Sequence, residues 1–149
     1  MPTPFESAQL ILKLFEIRRD PVLREARQWF LSDFNPVTWE ECAAIIGSER
    51  NSSFRMVVGY WDMAASLVTH GAIDTEMFRA ANNEIVATFA KIQPFIEQLR
   101  AARSNPNFCI HMENLVLAVP GAAELLELRR NQFRAAAEKR AAAKRQPAS

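Results

Sequence analysis

Cys109, His111 and Glu113 form the densest run of residue types able to ligate a metal or carry a covalent intermediate. Metal sites built on helices need ligands at i, i+3 or i+4, so that two lone pairs share one face. A spacing of two turns each successive side chain by about 200° around a helix, which scatters these three. His70 precedes Asp74 by four positions, but Gly71 stands between them, so helix-end chemistry is the expectation there. No metal site and no cofactor is expected. Nucleophilic catalysis fares no better: the chain has no Gly-x-Ser-x-Gly elbow and no Ser-x-x-Lys pair. Its four glycines, at 47, 59, 71 and 121, cannot form a contiguous phosphate cradle. Without a catalytic set, the sequence leans away from an enzyme.

The region around Gly59 holds the best candidate for a small-ligand site. Glycine within a helix costs about 1 kcal/mol against alanine, so it marks either a tight helix crossing or the floor of a groove. In the second case Tyr60 and Asp62 form the rim, with His111 a further member. Asp62 has two competing uses, pairing with Arg55 or capping a neighbouring helix.

The charge distribution supplies a second candidate. Residues 1–128 carry 11 basic and 16 acidic side chains, net −5, whereas residues 129–149 carry seven basic and one acidic, net +6. On a helix Arg129, Arg130, Arg134, Arg140, Lys144 and Arg145 fall within an arc of about 160°, with Ala135, Ala136, Ala142 and Ala143 largely opposite. The expectation is a projecting basic face for an anionic polymer or a membrane surface, or an alanine face for a partner helix. Phe133 alone interrupts the cations, so sequence-specific nucleic-acid reading is not indicated.

The elements that must position these residues are helices. Thr3-Pro4-Phe5-Glu6 is a capping box with proline at N1, and Leu10, Leu14 and Ile17 follow as a stripe widened by Ile11 and Phe15. Asp20-Pro21 restarts the chain, with Leu23, Ala26, Phe30 and Phe34 inward. A second box at Thr38 opens a short helix carrying Trp39, Cys42 and Ile46. From Asn51 a longer helix buries Phe54, Val57, Val58, Trp61, Ala65 and Val68, and His70-Gly71 ends it. Asp74 then starts what the spacing predicts as one long helix to Arg103, kinked at Pro94 and serving as the spine. Ser104-Asn105-Pro106 stops it, Phe108 to Val119 forms a short helix, and Pro120-Gly121 leads into a last helix from about Ala122 to Arg145.

These 149 residues predict one all-α bundle of six or seven helices over 1–128, continued by the basic tail of 129–149. A core of this size buries roughly 68–70% of the unfolded surface, so no disulfide or metal is required. Cys42 and Cys109 are expected as buried, inert thiols in a reducing compartment. No apolar run nears the roughly 20 residues of a membrane span, and no secretory signal opens the chain, so a cytoplasmic protein is expected.

The run Val58-Gly59-Tyr60-Trp61-Asp62 through Gly71-Ala72-Ile73-Asp74, then Gln93-Pro94-Phe95-Ile96 and Ser104-Asn105-Pro106, resembles a family of small all-helical bacterial proteins known only as a domain of unknown function. The resemblance covers about residues 54–118: a Gly-x-Ile-Asp turn, a Pro-Phe-Ile helix with Gln93 where the family has lysine, and an Asn-Pro stop. It implies the fold and carries over no catalytic residue. The expected function is a non-enzymatic interaction or scaffold module with a protein partner or self-association. An anion-binding accessory role through the basic helix is the first alternative, and a ligand site near Tyr60, Asp62 and His111 the second.

Overall fold

The computed structural model describes residues 1–147, so the last two positions of the predicted tail lie outside the described residues. In chain order the helices are α1 (Pro4–Arg18), α2 (Pro21–Ser32), α3 (Trp39–Ile46), α4 (Asn51–Thr69), α5 (Thr75–Ala81), α6 (Glu84–Ile92), α7 (Ile96–Ala102), α8 (Ile110–Leu117) and α9 (Ala122–Arg145), with a 3₁₀ turn at Gln93–Phe95. Among the described residues there is no strand. The fold is an all-α bundle.

Local chemistry sets most boundaries. The Thr3 box is complete: Thr3 Oγ1 accepts from the Glu6 amide and the Glu6 carboxylate accepts from the Thr3 amide. At α3 Thr38 caps Glu41, but the Glu41 carboxylate reaches one residue further back, to the Val37 amide at 2.7 Å. Asp20 and Asp74 cap α2 and α5. Gly71, at φ +82°, ends α4 in a Schellman motif: its amide bonds to Val68 O and the Ala72 amide to Leu67 O.

The core gathers around α4, which packs most extensively on α8 and α2. Phe30 stacks on Phe34 at 4.9 Å, Phe54 closes on Phe34 at 5.4 Å, and Trp29 joins at 5.8 Å. Every residue predicted on the buried stripe of α4 is buried, and so are Leu23, Ala26, Phe30 and Phe34. Trp29 and Trp61 are buried and Trp39 packs against the core.

The predicted spine is corrected. Asp74 to Arg103 is three helices and a 3₁₀ turn rather than one kinked rod, which raises the number among the described residues to nine where six or seven were expected. The first break lies at Asn82 (φ −135°, ψ 58°), whose buried side chain donates from Nδ2 to Phe78 O at 3.0 Å. That carbonyl is the one its own backbone amide would take in a continuing helix, so side chain replaces backbone and the helix stops. The second break is Pro94, which has no amide to offer Ala90 O. Arg130 of α9 supplies the missing donor, its guanidinium lying 3.3 Å from Ala90 O and 2.8 Å from Gln93 Oε1.

Candidate functional site

The α4 helix and the Arg103–His111 segment enclose an open groove of about 490 Å³, lined by Arg55, Gly59, Asp62, Arg103, Asn105 and His111 among others. An added Cβ on Gly59 would meet nothing within 4 Å, so the tight-crossing expectation is corrected: this glycine is exposed and lines the groove. Asp62 Oδ1 accepts from the Met112 amide at 2.8 Å. Of the uses open to it, capping a neighbouring helix is the one observed. The need is local, because Cys109 at the N-cap of α8 has φ +58° and no side-chain cap bond. Arg103 lies over the Phe108 ring at 4.6 Å, and burial together with the charge of Arg55 lowers its pKa. Neither arginine has an ion-pair partner among the described residues. The groove therefore sets two cations and side-chain amides beside one carboxylate, that of Asp62. Burial pushes the Cys109 thiol up to about 12, and Cys42 up to about 11, so neither is a nucleophile at neutral pH.

Tyr60 does not belong to that rim, since one residue from Gly59 on a helix is a turn of about 100°. It is buried, donating to Leu14 O at 2.8 Å and accepting from Arg18 at 3.1 Å. Arg18 also donates to Asn82 Oδ1 at 2.7 Å and lies 5.2 Å from the Trp61 ring. Tyr60 thus ties α1 to α4 and to the break at Asn82. Burial raises its phenol pKa, against the opposing pull of Arg18.

The basic helix is turned differently from expectation. Ala122, Leu126, Phe133 and Ala137 face the bundle, and they fall within an arc of about 60° that the predicted basic arc overlaps. The side carrying Arg129, Arg130 and Arg140 is the docked side, while Ala135, Ala142 and Ala143 are exposed. Arg130 serves Ala90 O as described, and Arg140 donates to Ser32 O at the end of α2. Arg134, Lys144 and Arg145 are exposed. Every position from Glu138 to Pro147 is exposed, but Arg140 still reaches Ser32 O, so the projection begins beyond Arg140 rather than at Arg129.

Lys91 is the functional-looking residue that sequence reasoning missed. Its Nζ sits 2.8 Å from Phe30 O and Leu31 O, 2.9 Å from Phe34 O and 3.0 Å from Asn35 Oδ1. Phe133 of α9 covers it, the ring centre lying 4.3 Å from Nζ. A cation there complements the negative end of the α2 dipole. Burial, reinforced by Arg140, pushes the ammonium down to about 7, with Asp33 opposing. The available signal was a lysine between Ala90 and Ile92, within an apolar run that leaves it no wet face.

The first helix carries the reverse surprise. Phe5, Leu12 and Phe15 are 71%, 58% and 51% exposed, and Ile17 is exposed as well, so the predicted burial of Phe15 and Ile17 is corrected. Leu14 and Ser7 face inward, the serine hydroxyl accepting from the Asp74 amide at 3.0 Å. Beside the outer stripe lies an apolar recess lined by Pro2, Phe5, Leu10 and Ala72.

A family model described as a domain of unknown function (DUF4760) matches residues 4–119. No curated protein matches the chain. No solved structure matches it either. Among the described residues no helix is long and apolar enough to cross a membrane.

Proposed function

This chain belongs to the DUF4760 family, and we propose that it is a protein-interaction module that pairs with a second copy of itself through the outer stripe of α1. The supporting observation is the exposure of Phe5, Leu12 and Phe15 on one helix face. With Ala8 they fall at positions 5, 8, 12 and 15, the alternating three-and-four spacing of a coiled-coil seam. An antiparallel twofold pairing centred on residue 10 sets Phe5 against Phe15 and Ala8 against Leu12, large beside small at the middle of the contact. It also brings the partner's Phe15 to the end of α1 where the apolar recess opens. The two helix dipoles then oppose, which favours the antiparallel arrangement. Free, buried thiols at Cys42 and Cys109 suit a reducing compartment, in keeping with a cytoplasmic module.

Light scattering on the full chain tests the pairing. The wild type is expected at twice the chain mass, and Leu12→Glu with Phe15→Glu at the chain mass with an unchanged far-UV circular dichroism spectrum. A monomeric wild type across the concentration range would exclude self-pairing, and equal dimer content in both would place the contact elsewhere.

A further inference from the structure

We propose that His70 and His111 form a two-histidine site for a divalent transition metal of the zinc class. The pair escapes a sequence search for helical ligand spacing because its members come from two different helices, brought together by the packing of α4 on α8. Their imidazole rings lie 5.2 Å apart, centre to centre, with planes inclined at 52°.

The hydrogen bonds turn Nδ1 of each ring to the protein and leave Nε2 for a ligand. His70 is the C-cap of α4, held by the Gly71 Schellman turn, and its Nδ1 lies 2.8 Å from Ser66 O. A carbonyl oxygen can only accept, so Nδ1 carries the hydrogen and Nε2 keeps its lone pair. Thr69 Oγ1 donates its single hydrogen to the same Ser66 carbonyl, at 3.2 Å. It also lies 3.1 Å from His111 Nδ1, so His111 too turns Nδ1 to the protein, and in the tautomer that carries its hydrogen there Nε2 is bare. His70 thus carries the outer hydrogen bond from Nδ1 that ligating histidines use to fix tautomer and orientation, and metal at His111 Nε2 would select the tautomer in which Nδ1 donates to Thr69.

The separation also suits ligation. With metal–nitrogen bonds of about 2.0–2.1 Å and a tetrahedral angle, two rings bound through Nε2 have centres about 5 Å apart. Imidazole pairs favour zinc, copper and nickel over magnesium or calcium. Among the described residues no third histidine, cysteine or carboxylate completes a ligand group. The remaining positions fall to water or to an incoming anion, and His111 also lines the groove carrying Arg55 and Arg103.

The test is calorimetric titration of Zn²⁺ alone into the tag-free full chain, with Co²⁺ absorption as an independent report of nitrogen ligation. One saturable equivalent is expected in the wild type. His70→Gln and His111→Gln should each weaken binding at least tenfold with unchanged circular dichroism, and Thr69→Val should weaken it by about tenfold through the lost outer hydrogen bond. Absence of saturable Zn²⁺ binding, or affinity equal to wild type in both histidine variants, would overturn the site. The site stands independently of the α1 pairing, because none of these substitutions touches α1.

Discussion

The first and last helices exchange the roles that their sequences suggest. α1 looks like a core helix and leaves four large apolar side chains in water, whereas α9 looks like a free basic rod and turns much of its cationic side inward. Apolar residues on both sides of a helix do not say which side is buried. Ser7 and Leu14 decide it for α1, because the Ser7 hydroxyl is taken by the Asp74 amide. For α9 the deciding groups are carbonyls on other helices. Pro94 leaves Ala90 O without an amide and Arg130 serves it, while Arg140 joins the Asn35 side chain in donating to Ser32 O at the end of α2. Long stems let arginine lie along apolar surface while its head bonds to such helix ends.

Breaking the α2–α6–α9 junction should give the largest effect. Lys91→Met keeps the stem and removes the donor, leaving carbonyls of Phe30, Leu31 and Phe34 short of a partner. A loss of about 3 kcal/mol in urea unfolding is expected, since each buried acceptor left unpaired costs about 1–3 kcal/mol. The pH profile sharpens the point. The folded-state ammonium is pushed down to about 7 from 10.5, so between those values the unfolded chain holds one more proton than the folded one. Stability contributed by this residue then rises with pH across that window and is lowest below about 7. The gap between wild type and Lys91→Met should widen from pH 7 to pH 10, and a constant gap would show that the amine does not titrate there.

Phe133→Ala should cost less, about 1–2 kcal/mol, because the ring is half-buried and its cation–π contact with Lys91 is lost with it. Truncating the opposite helix should cost almost nothing. Leu12→Gln with Phe15→Gln should shift the stability of a monomer by no more than about 0.5 kcal/mol, as expected of exposed positions. A loss as large as that of Phe133→Ala would mean that the α1 stripe is supported within its own chain.

Much of the fold was legible because its signals are local. Thr3, Asp20, Asp74, Gly71 and Gly121 each act within a few residues, and the helix ends they mark are where the sequence places them. The break at Asn82, the burial of Lys91 and the service of Arg130 were not legible. Asn82 stops its helix through Phe78 O only four residues back, a bond that depends on Arg18, 64 residues away, holding the other end of the amide, while the partners of Lys91 and Arg130 lie tens of residues away, where no spacing rule reaches. The groove was read in part: Gly59, Asp62 and His111 meet there, and Tyr60, adjacent in sequence, is turned to the core.

The smallest expected effect separates the docked and projecting parts of α9. Deleting residues 141–149 removes Lys144 and Arg145 but keeps Ala137 and Arg140, so stability should change by less than about 0.5 kcal/mol. Deleting residues 135–149 also removes the Arg140 bond to Ser32 O and should cost about 1 kcal/mol more. Heparin retention tests the anion-binding role on the same pair of chains. Cations already bonded to carbonyls contribute little to a polyanion contact, whereas free ones release counterions and give a steep salt dependence. If the projecting segment carries such binding, the shorter deletion should lose nearly all of it. Unchanged retention in the shorter deletion, followed by loss in the longer one, would assign the contact to Lys139 and Arg140. Arg140 would then have to leave Ser32 to reach a polyanion, and the contrast between a docked α9 and an open α1 would hold only for the free protein.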